Sequence, residues 1–233
     1  MKLLLISNST NAGEEYLRYP LPEIARFLAG TGEVAFVPYA AVTFSYAEYE
    51  RRVAARLSEI GIRVKSVHRA ADPARAIRRA EAICVGGGNT FALAKKMQEQ
   101  GLMQAIRSRL RAGVPYVGWS AGSNVCCPTI STTNDMPIVR PASFKAIGAV
   151  KFQINPHYLD ANPAGHAGET REQRIREYIR ANPRRWVAGL REGCMLRCEA
   201  GEIELIGPRP MRIFRYGTEP FEVQPGGDLS FLL

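Results

Sequence analysis

Ser120 stands at the centre of Gly118-Trp119-Ser120-Ala121-Gly122, a G-x-S-x-G pentapeptide. An apolar run over 114–117 precedes it and small residues follow. Strand, sharp turn and helix in that order make a nucleophile elbow, which lifts the serine hydroxyl clear of the backbone. The flanking glycines admit the strained turn. A serine attacks a carbonyl only when a base removes its proton, so the pentapeptide calls for a histidine and an acid to orient it.

The chain has three histidines. His68 closes a strand and has no special surroundings. His166 lies in a Gly-rich loop. His157 ends a strand after the rigid Asn155-Pro156 step and is the favoured base. Two acids compete to fix its tautomer. Asp135 is the one acid between Ser120 and His157 and lies in a loop over 133–137. Glu192 lies in the tight Arg191-Glu192-Gly193 turn at a strand end. A chain order of serine, acid, histidine would require Asp135; strand topology favours Glu192. An oxyanion hole needs fixed N–H donors. Gly86-Gly87-Gly88 offers backbone amides with no side chain in the way, and Ala121 offers the amide after the nucleophile. Gly88 and Ala121 are the expected pair. A phosphate cradle is the rival reading of the glycines, but no Gly-Lys-Ser/Thr follows them.

Arg171 is the odd residue of its helix. Thr170 with Gln173 makes a capping box and sets Arg171 at the first helical position. A cation there opposes the helix dipole. It lies one turn before Ile175 and shares the inward stripe of Ile175, Tyr178 and Ile179. An arginine so placed suits recognition of a carboxylate.

These residues need elements to hold them. Residues 2–6 read as a buried strand, 22–28 as a helix and 33–38 as a strand. Residues 46–60 have helical spacing, with Tyr49, Val53, Ala54 and Leu57 on one face. A strand over 62–67 and a helix over 72–80 capped by Asp72 follow. The strand over 82–85 runs into the glycines, with helices over 89–98 and 102–111. Strands are expected over 114–118, 150–154 and 186–190, and a helix over 170–180. From residue 195 to 233 short strands alternate with Gly and Pro turns, as antiparallel hairpins do. Strands alternating with helices imply an α/β fold with a mostly parallel sheet flanked by helices. No repeat, low-complexity segment or linker divides the chain, so one hydrolytic domain over 1–233 is expected. In open α/β sheets ligands bind beyond the carboxyl ends of the strands. The glycine run, Ser120, His157 and Glu192 all fall there.

Hydrophobic residues are 46% and charged residues 23%, ordinary globular values. The formal charge of +9 favours an anionic partner. The basic residues are scattered and their dense runs, Arg51-Arg52 and Arg184-Arg185, are short, so a small anionic substrate is expected before nucleic acid. The N-terminal apolar run turns polar at Ser7-Asn8-Ser9-Thr10, too soon for a signal peptide or a membrane helix. A cytoplasmic protein with no membrane partner is expected. The cysteines are Cys84, Cys126, Cys127, Cys194 and Cys198. No second Cys or His pair accompanies Cys194-x-x-x-Cys198, so free thiols are expected before a metal site. No cofactor is called for. The oligomeric state is left open, a homo-oligomer included.

Taken together, these stretches resemble the serine-peptidase family that contains the bacterial aspartyl dipeptidases of the peptidase E type and cyanophycinase. The matching pieces include Leu5-Ile6-Ser7-Asn8-Ser9-Thr10, Val85-Gly86-Gly87-Gly88-Asn89-Thr90-Phe91 and the elbow itself. So do Thr132-Thr133-Asn134-Asp135-Met136-Pro137, Gln153-Ile154-Asn155-Pro156-His157 and Gly168-Glu169-Thr170-Arg171-Glu172-Gln173-Arg174. The resemblance runs from the first strand to about Gly193. It implies a fold like the class I glutamine amidotransferases, flavodoxin-like, with C-terminal β hairpins. It implies hydrolysis of dipeptides with an N-terminal aspartate, without metal, and a role for Arg171 in binding that aspartate's side chain. It brings Asn89 and Thr90 among the substrate-binding candidates. The third triad member stays open between Asp135 and Glu192. One departure is Arg191, where the family leads one to expect proline; an arginine there is expected to loosen the turn that carries Glu192. A cyanophycinase-like enzyme for β-aspartyl-arginine peptides, or a non-catalytic binding module on the same fold, are the alternatives.

Overall fold

The computed structural model describes residues 1–162, 165 and 167–233. The chain begins with β1 (Leu3–Ile6), α1 (Leu21–Phe27), β2 (Glu33–Val37), α2 (Tyr46–Ser58), β3 (Arg63–Ser66) and α3 (Pro73–Arg79). It continues with β4 (Ala82–Val85), α4 (Thr90–Glu99), α5 (Leu102–Arg111), β5 (Tyr116–Trp119) and the short α6 (Ala121–Asn124). Then come β6 (Gln153–Pro156), α7 (Arg171–Ala181), β7 (Trp186–Leu190), β8 (Met195–Glu199), β9 (Glu202–Ile206), β10 (Met211–Arg215) and β11 (Thr218–Val223). Among the described residues no helix is long and apolar enough to cross a membrane.

A seven-stranded sheet runs β3-β2-β4-β5-β1-β8-β9. Its first five strands are parallel; β8 pairs antiparallel with β1, and β9 antiparallel with β8. Leaving β1 aside, β3-β2-β4-β5 is the doubly wound order, and β1 takes the place of its fifth strand. The strands show why. Successive side chains leave a strand on opposite faces. Leu3 and Leu5 pack on one side with Val37, Val85 and helices α3 to α6; Leu4 and Ile6 pack on the other with Phe36, Trp119, α1 and α2. Strands buried on both faces must be apolar throughout, as Leu3 to Ile6 are. Each large side chain so buried stabilises the fold by about 1.5–3 kcal/mol.

The mostly parallel sheet expected from the sequence is present, but the strands that carry His157 and Glu192 are not in it. They form a second sheet, ordered β11-β10-β7-β6. β8 occupies the free side of β1, so β7 pairs with β10 instead. One face of this second sheet joins the main core through Ile154, Ala188, Leu190 and Ile213. The other face holds α7 through Tyr158, Ile175, Ile179 and Phe214. β6 continues to Pro156, two residues beyond the expected end. It is an edge strand, where a residue with no N–H to donate is tolerated.

Candidate active site

Register brings the strand ends together. Ile6 lies opposite Trp119, Val85 opposite Gly118, and Pro156 opposite Leu190. The residue after each strand therefore sits at one edge of its sheet. Ser120 has φ 53° and ψ −113°, a conformation an L-residue adopts only under constraint. The constraint is visible. Its N–H donates to the Ile6 carbonyl, and the Ser123 hydroxyl ties Ile6 to Gly118 at 2.7 and 2.8 Å. Gly122 lets the helix close on β4: a Cβ there would lie 2.1 Å from the Val85 carbonyl oxygen.

His157 also has positive φ, 54°. Its N–H donates to the Ser7 hydroxyl at 2.9 Å, and that hydroxyl donates to the Leu190 carbonyl at 2.8 Å. Ser7 is fully buried at the end of β1 and so pins the second sheet to the first. Asn8 continues the seam, accepting from the Gly193 N–H at 2.9 Å. Apart from their place in the Leu5-Ile6-Ser7-Asn8-Ser9-Thr10 stretch, neither residue has a sequence signal beyond being polar directly after an apolar strand.

The imidazole spans the gap between the sheets. His157 Nε2 lies 2.9 Å from Ser120 Oγ, and Nδ1 lies 2.7 Å from Glu192 Oε1. Asp135 is elsewhere: its Oδ2 accepts the Thr90 N–H at 2.7 Å and lies 3.0 Å from the Thr133 hydroxyl. Of the two rival acids, Glu192 is the one in contact with His157. His68 lies beyond the edge strand β3, with Nδ1 2.6 Å from the Ser66 hydroxyl. His166 lies outside the described residues.

A pocket of about 350 Å³ opens beside Ser120 and His157. Ala121, Thr90, Asp135 and Arg171 line it, together with Thr133 and Asn134. Asn134 donates to the Pro156 carbonyl at 2.6 Å, fixing its loop next to His157. Arg171 is half-buried at the start of α7, and the Thr170–Gln173 capping box is formed. Burial and nearby Arg174 disfavour its charge, while Asp135 favours it. Among the described residues no carboxylate pairs with it. Asn89 does not line the pocket. Its side chain caps α4 by accepting from Ala92 N–H and donates to the Met136 carbonyl. Asparagine is among the best N-caps; the cap uses its Oδ1, and the Met136 carbonyl takes its Nδ2. Gly88 is exposed, with φ 133°, and among the described residues neither its N–H nor that of Ala121 donates within the protein. A larger hollow, about 740 Å³, lies between α7 and the β10–β11 turn and is not lined by Ser120, His157, Glu192, Asp135 or Arg171.

The five thiols are free and buried. Among the described residues no group of three or more His, Cys, Asp or Glu side chains is set to hold a metal ion.

A nucleophile elbow, a bridging imidazole and a carboxylate behind it are the parts of a serine hydrolase. The profile of peptidase family S51 matches residues 3–206. The chain belongs to peptidase family S51. It is 48% identical to Peptidase E of Nostoc sp. strain PCC 7120 over 233 residues, all of this chain and 96% of that one. It is 47% identical to Peptidase E of Salmonella typhimurium over 226 residues, 97% of this chain and 99% of that one. In fold it resembles a peptidase from an acI-B1 actinobacterium, with a TM-score of 0.70 and 17% identity, covering 97% of this chain and 94% of that one. The serine-type dipeptidase expected from the motifs agrees with S51 membership.

Arg191, expected to loosen the turn, fastens it. It is 8% exposed. Its guanidinium donates to both carboxylate oxygens of Asp160, in the loop after His157, and to both of Glu222, on β11. It also lies over the Tyr158 ring, 5.4 Å from its centroid. Hydrogen bonds from Arg191 hold the Asp160 and Glu222 carboxyls below their ordinary values. Depressed carboxylate values stabilise above the unfolded value, and the contribution is lost as pH falls through the folded one. Arg191→Met in this S51 chain should therefore lower Tm by roughly 4–8 °C at neutral pH, for a cluster worth about 2 kcal/mol. The gap from wild type should narrow below about pH 4. Thermal melts across pH check this; a gap unchanged at pH 3 would show that the ion pairs are not its source.

Proposed function

We propose that this S51 peptidase is an exopeptidase for dipeptides with an N-terminal aspartate, working through an acyl-enzyme on Ser120. The observation that carries the reading is the single pocket edge shared by Ser120, His157, Arg171 and Asp135. Ser120 Oγ attacks the peptide carbonyl carbon as its proton passes to His157 Nε2. The carbonyl π pair moves to oxygen, where the Gly88 and Ala121 N–H groups receive it. When the tetrahedral adduct collapses, the C–N bond breaks and His157 returns the proton to the leaving amine. Water, deprotonated by the same imidazole, then cleaves the ester. Glu192 holds Nδ1–H and so fixes the tautomer that can accept at Nε2.

Arg171 binds the aspartate side chain, and a pocket of this size suits one short peptide. An exopeptidase must also recognise a free amino group. Asp135 fits that need: Oδ2 is engaged by Thr90 and Thr133, while the carboxylate still lines the pocket near Arg171. Its role in this reading is amine binding, with Thr90 as its support. The partner is a small acidic peptide, not nucleic acid or a bilayer, and the formal charge of +9 supports an anionic substrate. The free thiols support a reducing compartment, the cytoplasm.

Hydrolysis of a panel of α- and β-aspartyl dipeptides with their Asn and Glu counterparts tests the proposal. Asn in place of Asp leaves Arg171 without its partner. Loss of one partner of a buried charge pair costs 2–5 kcal/mol or more. Arg171 is half-buried, so the lower end applies, about 2–3 kcal/mol or roughly 30- to 150-fold in kcat/KM. Arg171→Met should erase most of that preference. If it discriminates Asp from Asn as wild type does, another residue reads the side chain. Preference for β-aspartyl-arginine would move the assignment to the cyanophycinase type.

A further inference from the structure

The Gly88 N–H can serve an oxyanion only if its peptide plane is held in one orientation. Both residues of that plane are glycines, so no side chain fixes it. Gly88 has φ 133°, a value that few residues other than glycine adopt. A half-turn of the Gly87–Gly88 peptide would carry φ to about −50°, inside the ordinary helical region. The observed orientation is thus the one that backbone preference alone does not select.

One buried side chain opposes that rotation. Tyr49, on α2, is 3% exposed, and its hydroxyl donates to the Gly87 carbonyl at 2.9 Å. In a trans peptide the C=O and the next N–H point in opposite directions, and the chain has no cis bonds among the described residues. Holding the Gly87 carbonyl toward the interior directs the Gly88 N–H outward, to the exposed side of the glycine run. The same hydroxyl accepts from Trp119 Nε1 at 3.1 Å, the residue before the nucleophile, and from Tyr16 at 3.3 Å. Gly86 makes room for it: a Cβ there would lie 2.6 Å from the Tyr49 oxygen. Burial raises the Tyr49 hydroxyl above its ordinary value, so it remains a donor through the neutral range.

We propose that Tyr49 is a positioning residue for catalysis, orienting the Gly87–Gly88 peptide so that the Gly88 N–H faces the developing oxyanion. The proposal rests on the serine-hydrolase reading above. It assigns the first glycine of the run to admitting the hydroxyl, the second to presenting the carbonyl, and the third to presenting the donor.

The test compares three replacements. Tyr49→Phe removes the donor. Tyr49→p-fluorophenylalanine removes it while filling the space of the hydroxyl, so that folding is preserved if the phenylalanine variant is unstable. Tyr49→p-aminophenylalanine restores an N–H donor at the same place. Tyr16→Phe serves as the control, since it removes a hydrogen bond from the same cluster but leaves Gly87 held. The readouts are kcat and KM for an Asp-Xaa dipeptide, Kd for free aspartate, and the rate of acylation by p-nitrophenyl acetate, which needs the oxyanion hole but not Arg171. The first two replacements should lower kcat and ester acylation together, roughly 10- to 100-fold. KM and the aspartate Kd should stay within about twofold of wild type, because ground-state binding does not use the donor. The p-amino variant should recover most of the loss, and Tyr16→Phe should match wild type. Wild-type rates in Tyr49→Phe, a parallel loss of aspartate binding, or failure of the amino group to rescue would overturn the proposal. If wild type cleaves the ester but no Asp-Xaa dipeptide, the substrate reading falls and the ester rates still decide Tyr49. If it cleaves neither, both fall.

Discussion

Ser120→Ala is expected to fold as wild type does and to lose about a million-fold in kcat toward Asp-Xaa dipeptides. That is the scale of loss when the serine of a serine–histidine–acid unit is removed. Fold retention follows from the contacts: the elbow is held by the Ser120 backbone N–H, by Ser123 and by Tyr116, none of which uses the Ser120 hydroxyl. Residual catalysis from the oxyanion donors and from binding should remain, a thousand-fold or so over water. Aspartate should still bind, because Arg171 and Asp135 are untouched. Turnover within a hundredfold of wild type would end the acyl-enzyme reading.

The second large effect concerns the acid. Glu192→Gln should lower kcat by about ten-thousand-fold with KM little changed, since an amide behind the imidazole favours the wrong tautomer while leaving geometry intact. Asp135→Asn should behave in the opposite sense, raising KM with a smaller effect on kcat, because its place is in the pocket wall. Steady-state kinetics on the two variants separates the roles. The reverse ranking would give the orienting role to Asp135, which chain order alone had allowed.

Much of this site was legible in the sequence because it depends on local rules. Strand ends show as apolar runs that stop at a glycine, a charged residue or an Asn-Pro step, and Ser120, His157 and Glu192 each lie just beyond one. The capping box that sets Arg171 is a four-residue pattern. What was not legible depends on pairing between distant segments. Alternation of apolar residues says that a strand is buried, not which strand it joins, so the second sheet was not foreseen. Arg191 looked like a loosened turn because its partners, Asp160 and Glu222, lie 31 residues away on either side. Tyr49 was visible only as one member of an apolar helix face; its hydroxyl finds Gly87 across 38 residues. Asn89 lies inside a motif full of functional residues, and the structure shows it as the cap of α4.

The division of the reacting groups between two sheets also has a meaning in time. The nucleophile and its glycine loop follow strands complete by residue 119, whereas the base and the acid arrive with residues 153–192. The last strands then close both halves, β8 and β9 on the first sheet and β10 and β11 on the second. A chain emerging from the ribosome therefore carries its serine long before anything can deprotonate it. The serine gains its base only when the imidazole reaches across the seam pinned by Ser7.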